Sequence, residues 1–104
     1  MSELTVSTTV DENQLPSLKT LEHASKIAIL EDKPILLDYW TDSFNGKALI
    51  GVKQTEEQEK ILIKSEEEYT SPIKQIFKTS DEYLVITENS IYVVSTKIPM
   101  KKIS

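Results

Sequence analysis

The sequence predicts a mainly β domain of the α+β type. One N-terminal helix packs on a curled antiparallel sheet, or a partly open barrel, of five to six strands. Three observations lead there. Helical spacing of apolar residues occurs in one stretch only, near the N-terminus. From Pro34 onward, short β-like runs recur with a spacing of roughly ten residues, separated by polar turns. Two of these runs, 82–87 and 90–97, are apolar on both faces, so both faces must be covered.

Residues 1–16 (MSELTVSTTVDENQLP) are polar and Ser/Thr-rich, with sparse Leu4, Val6 and Val10, and read as a flexible arm. The globular domain spans 17–98. Its helix covers 17–31: Ser17 is placed to cap it, and Leu21, Ala24, Ile27 and Ala28 recur at helical spacing. Asp32-Lys33-Pro34 ends it, because a residue before proline avoids the helical region. The apolar run Ile27–Leu30 leaves open a helix followed by a short strand. Runs 35–41 and 47–54 flank Asn45-Gly46, which predicts a hairpin with a type I′ turn. A third run covers 59–65, after the polar turn Thr55–Gln58. The runs 72–78, 82–87 and 90–97 form a three-stranded meander with short polar spacers. Residues 99–104 read as a basic tail.

Composition removes several function classes. The chain has 104 residues, 17 acids against 12 basic residues and a net charge of −5, which disfavours a strongly basic nucleic-acid binder. All the basic residues are lysine, so no guanidinium fork is available for phosphate or guanine. Cysteine is absent, which excludes disulfides, thiolate chemistry and cysteine-ligated zinc. No apolar run reaches the ~18 residues of a membrane span, and the N-terminus lacks the apolar stretch of a secretory signal. The expectation is a soluble protein of the cytoplasm without a membrane contact.

No residue set marks catalysis. His23 is the single histidine and falls on a polar flank of the helix, with neither a triad nor a metal site around it. The glutamates at 56, 57, 59, 66, 67 and 68 sit in polar turns, where charge is solvated. With Lys60 and Lys64 they leave residues 55–68 at a local net charge of −4, a contact surface for a basic partner. Neither Gly46 nor Gly51 heads a helix, so no phosphate loop is present. Neither a cofactor nor a metal is expected, and the protein is not expected to be an enzyme.

Two positive candidates remain. Trp40 and Phe44 flank the first predicted turn and are the best residues for a protein-contact hot spot. That points to a small interaction or structural protein that docks on a protein partner or on itself. Lys97, Lys101 and Lys102 carry +3 with no acid in 97–104. They define the alternative, a β-domain accessory that touches nucleic-acid phosphates.

The stretch DKPILLDYWTDSFNGK (32–47) resembles the opening of a thioredoxin, where the strand leads into Cys-x-x-Cys. Here Ser43-Phe44-Asn45-Gly46 stands in that place without a thiol, so redox chemistry is excluded. KPILLDYWTDS (33–43), EEEYTSPIKQIF (66–77) and EYLVITENSIYVVS (82–95) resemble small proteins of nucleocytoplasmic large DNA viruses. That resemblance implies an infected host cell or a virus particle as the setting, and it assigns no functional residue.

Overall fold

The computed structural model describes residues 15–103. The expected arm over 1–16 lies outside them except for its last two residues. The described chain runs α1 (Leu18–Glu31), β1 (Ile35–Leu36), α2 (Trp40–Phe44), β2 (Leu49–Lys53), β3 (Lys60–Ile63), β4 (Ile73–Lys78), β5 (Glu82–Thr87), β6 (Ile91–Ser95) and β7 (Met100–Ile103). The protein is mainly β, with two short helices.

α1 begins where the sequence placed it. Ser17 has an extended backbone and its hydroxyl accepts the Thr20 N–H. The helix stays intact to Glu31, so Ile27–Leu30 is helical throughout. It stops at Asp32, which adopts the left-handed conformation at φ 55°. The N–H groups of Asp32 and Lys33 both donate to the Ala28 carbonyl, which satisfies the helix end. Lys33 then reaches across to the Thr87 carbonyl at 2.9 Å.

Two mixed sheets form the rest. The first has the order β1-β6-β5-β4, and the second β3-β2-β7. The meander β4-β5-β6 is antiparallel, as its short spacers require. β1 joins β6 in parallel, with Ile35 opposite Ile91. β7 joins β2 in parallel, with Lys101 opposite Gly51. The expected α+β class holds, while the single curled antiparallel sheet, or partly open barrel, of five to six strands is corrected: the described residues form seven strands in two sheets, with one parallel pairing in each.

The first sheet is the middle layer. Leu84 and Ile86 of β5 with Ile91 and Val93 of β6 pack against Ala24 of α1 and Trp40 of α2. The alternate residues, Val85 and Val94, pack against Ile50 of β2 and Leu62 of β3. This sandwiching is why both faces of β5 and β6 are apolar. β3 lies beside β4, so the two sheets fold toward each other along one side without closing a barrel.

Two sequence expectations fail in specific places. The hairpin at Asn45-Gly46 does not form: residues 40–44 are helical, and β1 and β2 belong to different sheets. A type I′ turn needs positive φ at both central residues, but Asn45 is at −94° and only Gly46, at 76°, is positive. Burying Trp40 and Ser43 against the sheet outweighs the local turn preference. The supposed basic tail also becomes a strand, because β7 pairs with β2 over four residues. Gly51 makes room for this outer face: a Cβ there would lie 2.6 Å from Ile63 Cδ1 and 2.9 Å from Ile103 Cδ1.

Candidate functional site

A cleft of about 400 Å³ opens where four segments meet. Ser17 is the N-cap of α1, Trp40 and Phe44 come from α2, Asp81 and Glu82 from the turn into β5, and Lys97 from the turn after β6. Its walls are held by two polar constructions, each set by local sequence.

The first centres on Glu82, which is 5% exposed although it is an acid. Glu82 is the first residue of β5 and shares the helix-facing side with Leu84 and Ile86, at the period of two. Its Oε1 accepts the Thr20 hydroxyl at 2.6 Å and the Ser17 hydroxyl at 3.0 Å. Thr79 Oγ1 lies 2.6 Å from Thr20 Oγ1 and donates to the Glu82 carbonyl at 3.1 Å. The carboxylate thus stands at the N-terminus of α1, where the helix dipole favours negative charge. It ties that terminus to the β4–β5 turn.

The second centres on Ser43, which is fully buried. Its hydroxyl donates to the Trp40 carbonyl at 2.7 Å and accepts the Ser95 N–H at 2.8 Å. α2 is thereby fastened to the end of β6. The Asp81 carbonyl in turn accepts both the N–H and the hydroxyl of Thr96, each at 3.1 Å. The floor and rim of the cleft are thus tied together by hydrogen bonds between distant segments.

The predicted residues divide. Trp40 and Phe44 do stand together, with ring centroids 6.0 Å apart. Trp40 is 8% exposed and contributes mainly to the helix-side core, while Phe44 is half-buried. Lys97 joins them: its Nζ sits 4.5 Å from the Phe44 ring centroid, a cation–π distance. Lys101 and Lys102 do not. They are consecutive residues of β7 and project to opposite faces of the second sheet. The three lysines do not form one surface.

The same geometry governs the chemistry available. Ser17 and Thr20 donate to a carboxylate, whereas a hydrolytic nucleophile would donate to an imidazole. His23 is exposed on α1 and lines a different groove. Among the described residues, no group of three His, Cys, Asp or Glu side chains is placed to hold a metal ion. No helix among them is long and apolar enough to cross a membrane.

Beyond the cleft, Tyr39 and Tyr92 meet edge to face at 5.4 Å between the sheets, with Lys64 Nζ 4.8 Å from the Tyr39 ring centroid. Burial, with Tyr92 and then Asp38 beside it, pushes the Tyr39 phenol up to about 12. Burial also raises the Tyr92 phenol, with Asp38 adding to it.

Glu82, Ser43 and Thr20 were not singled out by sequence reasoning. The signal for Glu82 was an acid in phase with Leu84 and Ile86 on an otherwise apolar strand face. For Ser43 there was none, since its partner Ser95 is 52 residues away.

Comparison with protein-family models, with curated proteins and with solved structures finds no match to this chain.

Proposed function

We propose that this protein is a non-enzymatic interaction protein and that a segment of a protein partner docks in the Trp40–Phe44–Lys97 cleft. One observation carries the reading: the aromatic side chains of Trp40 and Phe44 line one cleft with Asp81 and Lys97, charges of opposite sign, on walls tied by the Glu82 and Ser43 networks. Aromatic anchors within a polar rim are where binding energy concentrates. Walls that are already ordered spare the entropy of ordering them on binding. A net charge of −5 and the separation of Lys97 from Lys101 and Lys102 favour a protein over a nucleic acid as the occupant. The resemblance of residues 33–43, 66–77 and 82–95 to small viral proteins would place this role inside an infected cell or a particle.

The test is a tagged capture from the native expression setting, with and without nuclease, using the wild type and the Phe44→Ala/Lys97→Glu double variant. A protein partner that survives nuclease and is lost by about tenfold or more in the variant supports the reading. Thermal unfolding of the variant shows that the fold is retained. Partners released by nuclease, and lost when Lys97, Lys101 and Lys102 are neutralised, would establish the nucleic-acid alternative instead.

A further inference from the structure

The first described residue, Leu15, lines the same cleft as Trp40, Phe44 and Lys97 and is 51% exposed. The chain enters the fold there at an anchored point. Pro16 is buried, and a proline disfavours helical backbone in the residue before it. Ser17 is held by the Glu82 carboxylate, through its hydroxyl at 3.0 Å and its N–H at 3.4 Å. The residues that precede Leu15 therefore set out from within the cleft.

The open surface of the cleft has a definite chemistry. Leu15 is half exposed and Phe44 half-buried, so apolar area remains uncovered. Lys97 is the one base among the described residues that line it, and it is exposed. Its ammonium lies over the Phe44 ring and enters no ion pair with a described residue. Asp81 lines the same cleft but does not pair with it. Such a surface suits an apolar side chain next to an acid. Residues 10–14 (VDENQ) supply both: Val10 is followed by Asp11 and Glu12, with no base among them. Five extended residues span roughly 17 Å at about 3.4 Å each. That is enough to lie along a cleft of about 400 Å³.

We infer that residues 10–14 fold back into the cleft of their own chain, with Val10 on Leu15 and Phe44 and the acids at 11 and 12 facing Lys97. Asp81 repels the same acids, so the contact taken alone is weak. Tethering compensates, because a short linker holds the segment at an effective concentration on the order of 1 mM. A contact with an intrinsic Kd of about 1 mM is then formed roughly half of the time. A second copy in dilute solution has no such advantage. The inference rests on the reading of this cleft as a docking site and adds what guards it. A protein partner must displace the chain's own segment, and its apparent affinity falls with the fraction of open clefts.

The chain has no cysteine, so a single nitroxide label can be placed at Thr9→Cys and read by amide NMR of the full chain in dilute solution. Broadening should be strongest at Phe44, Thr96 and Lys97. It should be weaker at Lys19 and Thr79, which also stand at the start of α1 but line no part of the cleft. Val10→Ser in the same labelled chain should reduce the cleft broadening about fivefold. A contact weakened about tenfold by loss of the apolar side chain takes occupancy from roughly one half to roughly one tenth. The tether is unchanged in that variant, so mere proximity to Leu15 would not respond. Broadening that is equal at all five amides, or unchanged by Val10→Ser, overturns the inference. So does broadening of equal size in a mixture of isotope-labelled wild type with a spin-labelled second copy, which would make the contact intermolecular. No partner is needed for this readout, so the two readings fail separately. Cleft broadening without any captured partner would leave the fold-back standing and remove the docking role. A partner captured equally by wild type and Val10→Ser, without cleft broadening, would do the reverse.

Discussion

Ser43 has no exposed surface, yet its single hydroxyl serves two backbone groups, the Trp40 carbonyl and the Ser95 N–H, the latter 52 residues along the chain from Ser43. Removing it leaves the buried Ser95 N–H without an acceptor. An unsatisfied buried donor costs about 1–3 kcal/mol. Ser43→Ala should therefore destabilise the protein by that amount, read from chemical denaturation. Substitution of the exposed neighbour Thr41 by alanine should stay within roughly 0.5 kcal/mol. Gly46 illustrates the other kind of residue requirement. Its φ of 76° suits glycine alone at low cost, but it terminates α2 and does not turn a hairpin. The Asn-Gly signal correctly marked a positive φ and misassigned the element around it.

At the scale of elements, the start of α1 depends on a residue far along the chain. Ser17 caps the helix locally, and Glu82 holds the hydroxyls of Ser17 and Thr20 from β5. Hydrogen bonds to a charged group are worth about 1.5–3 kcal/mol. Glu82→Ala should cost about 2–3 kcal/mol and speed amide exchange over the first turn of α1, with little change in β2 or β3. Glu82→Gln should cost less, because one side-chain oxygen remains to accept both hydroxyls, which already share a single carboxylate oxygen. Equal losses in both variants, or uniform exchange throughout, would contradict this placement of Glu82. The lysines of the edge strands belong to the same scale. Lys74 and Lys78 on β4, and Lys101 and Lys102 on β7, put charge where an unpaired strand edge would otherwise recruit further strands. Their place in the fold accounts for them without a phosphate ligand.

For the whole molecule, the alkaline limit of stability follows from the inter-sheet tyrosines. The Tyr39 phenol is raised from its ordinary 10.0 to about 12 by burial first, and Tyr92 is raised in the same way. A phenol that holds its proton more tightly in the folded state favours folding only while it stays protonated. The stability tied to Tyr39 is thus unaffected below pH 10, declines above it, and is lost by about pH 12. Tyrosinate absorbance should rise together with loss of tertiary signal in that window. Tyr39→Phe should move the alkaline midpoint upward, whereas Tyr69→Phe, at an exposed ring, should leave it unchanged. The two faces of the central sheet are coupled through β5 and β6, so this loss should be cooperative and not confined to one layer.

Much of the architecture is local and could be read from the chain. The Ser17 cap, the stop at Asp32–Pro34 and the three short-linked strands β4–β6 depend on neighbours within a few residues. Alternation in β5 and β6 went further: strands apolar on both sides had to lie between two covering layers, and they do. The candidate cleft was legible only through Trp40, Phe44 and Lys97, with no sign that the three would meet. Tertiary structure alone decided the rest. β7 has two lysines among four residues and becomes a strand because β2 offers it a parallel edge. Residues 40–44 become helical because burial of Trp40 and Ser43 against β6 exceeds the pull of a two-residue turn. Glu82 becomes internal because the hydroxyls of Ser17 and Thr20 at the start of α1 converge on its carboxylate. Short-range periodicity records which faces need cover. The partner that covers them is chosen by pairing energies between residues distant in sequence, and those exist only in the folded chain.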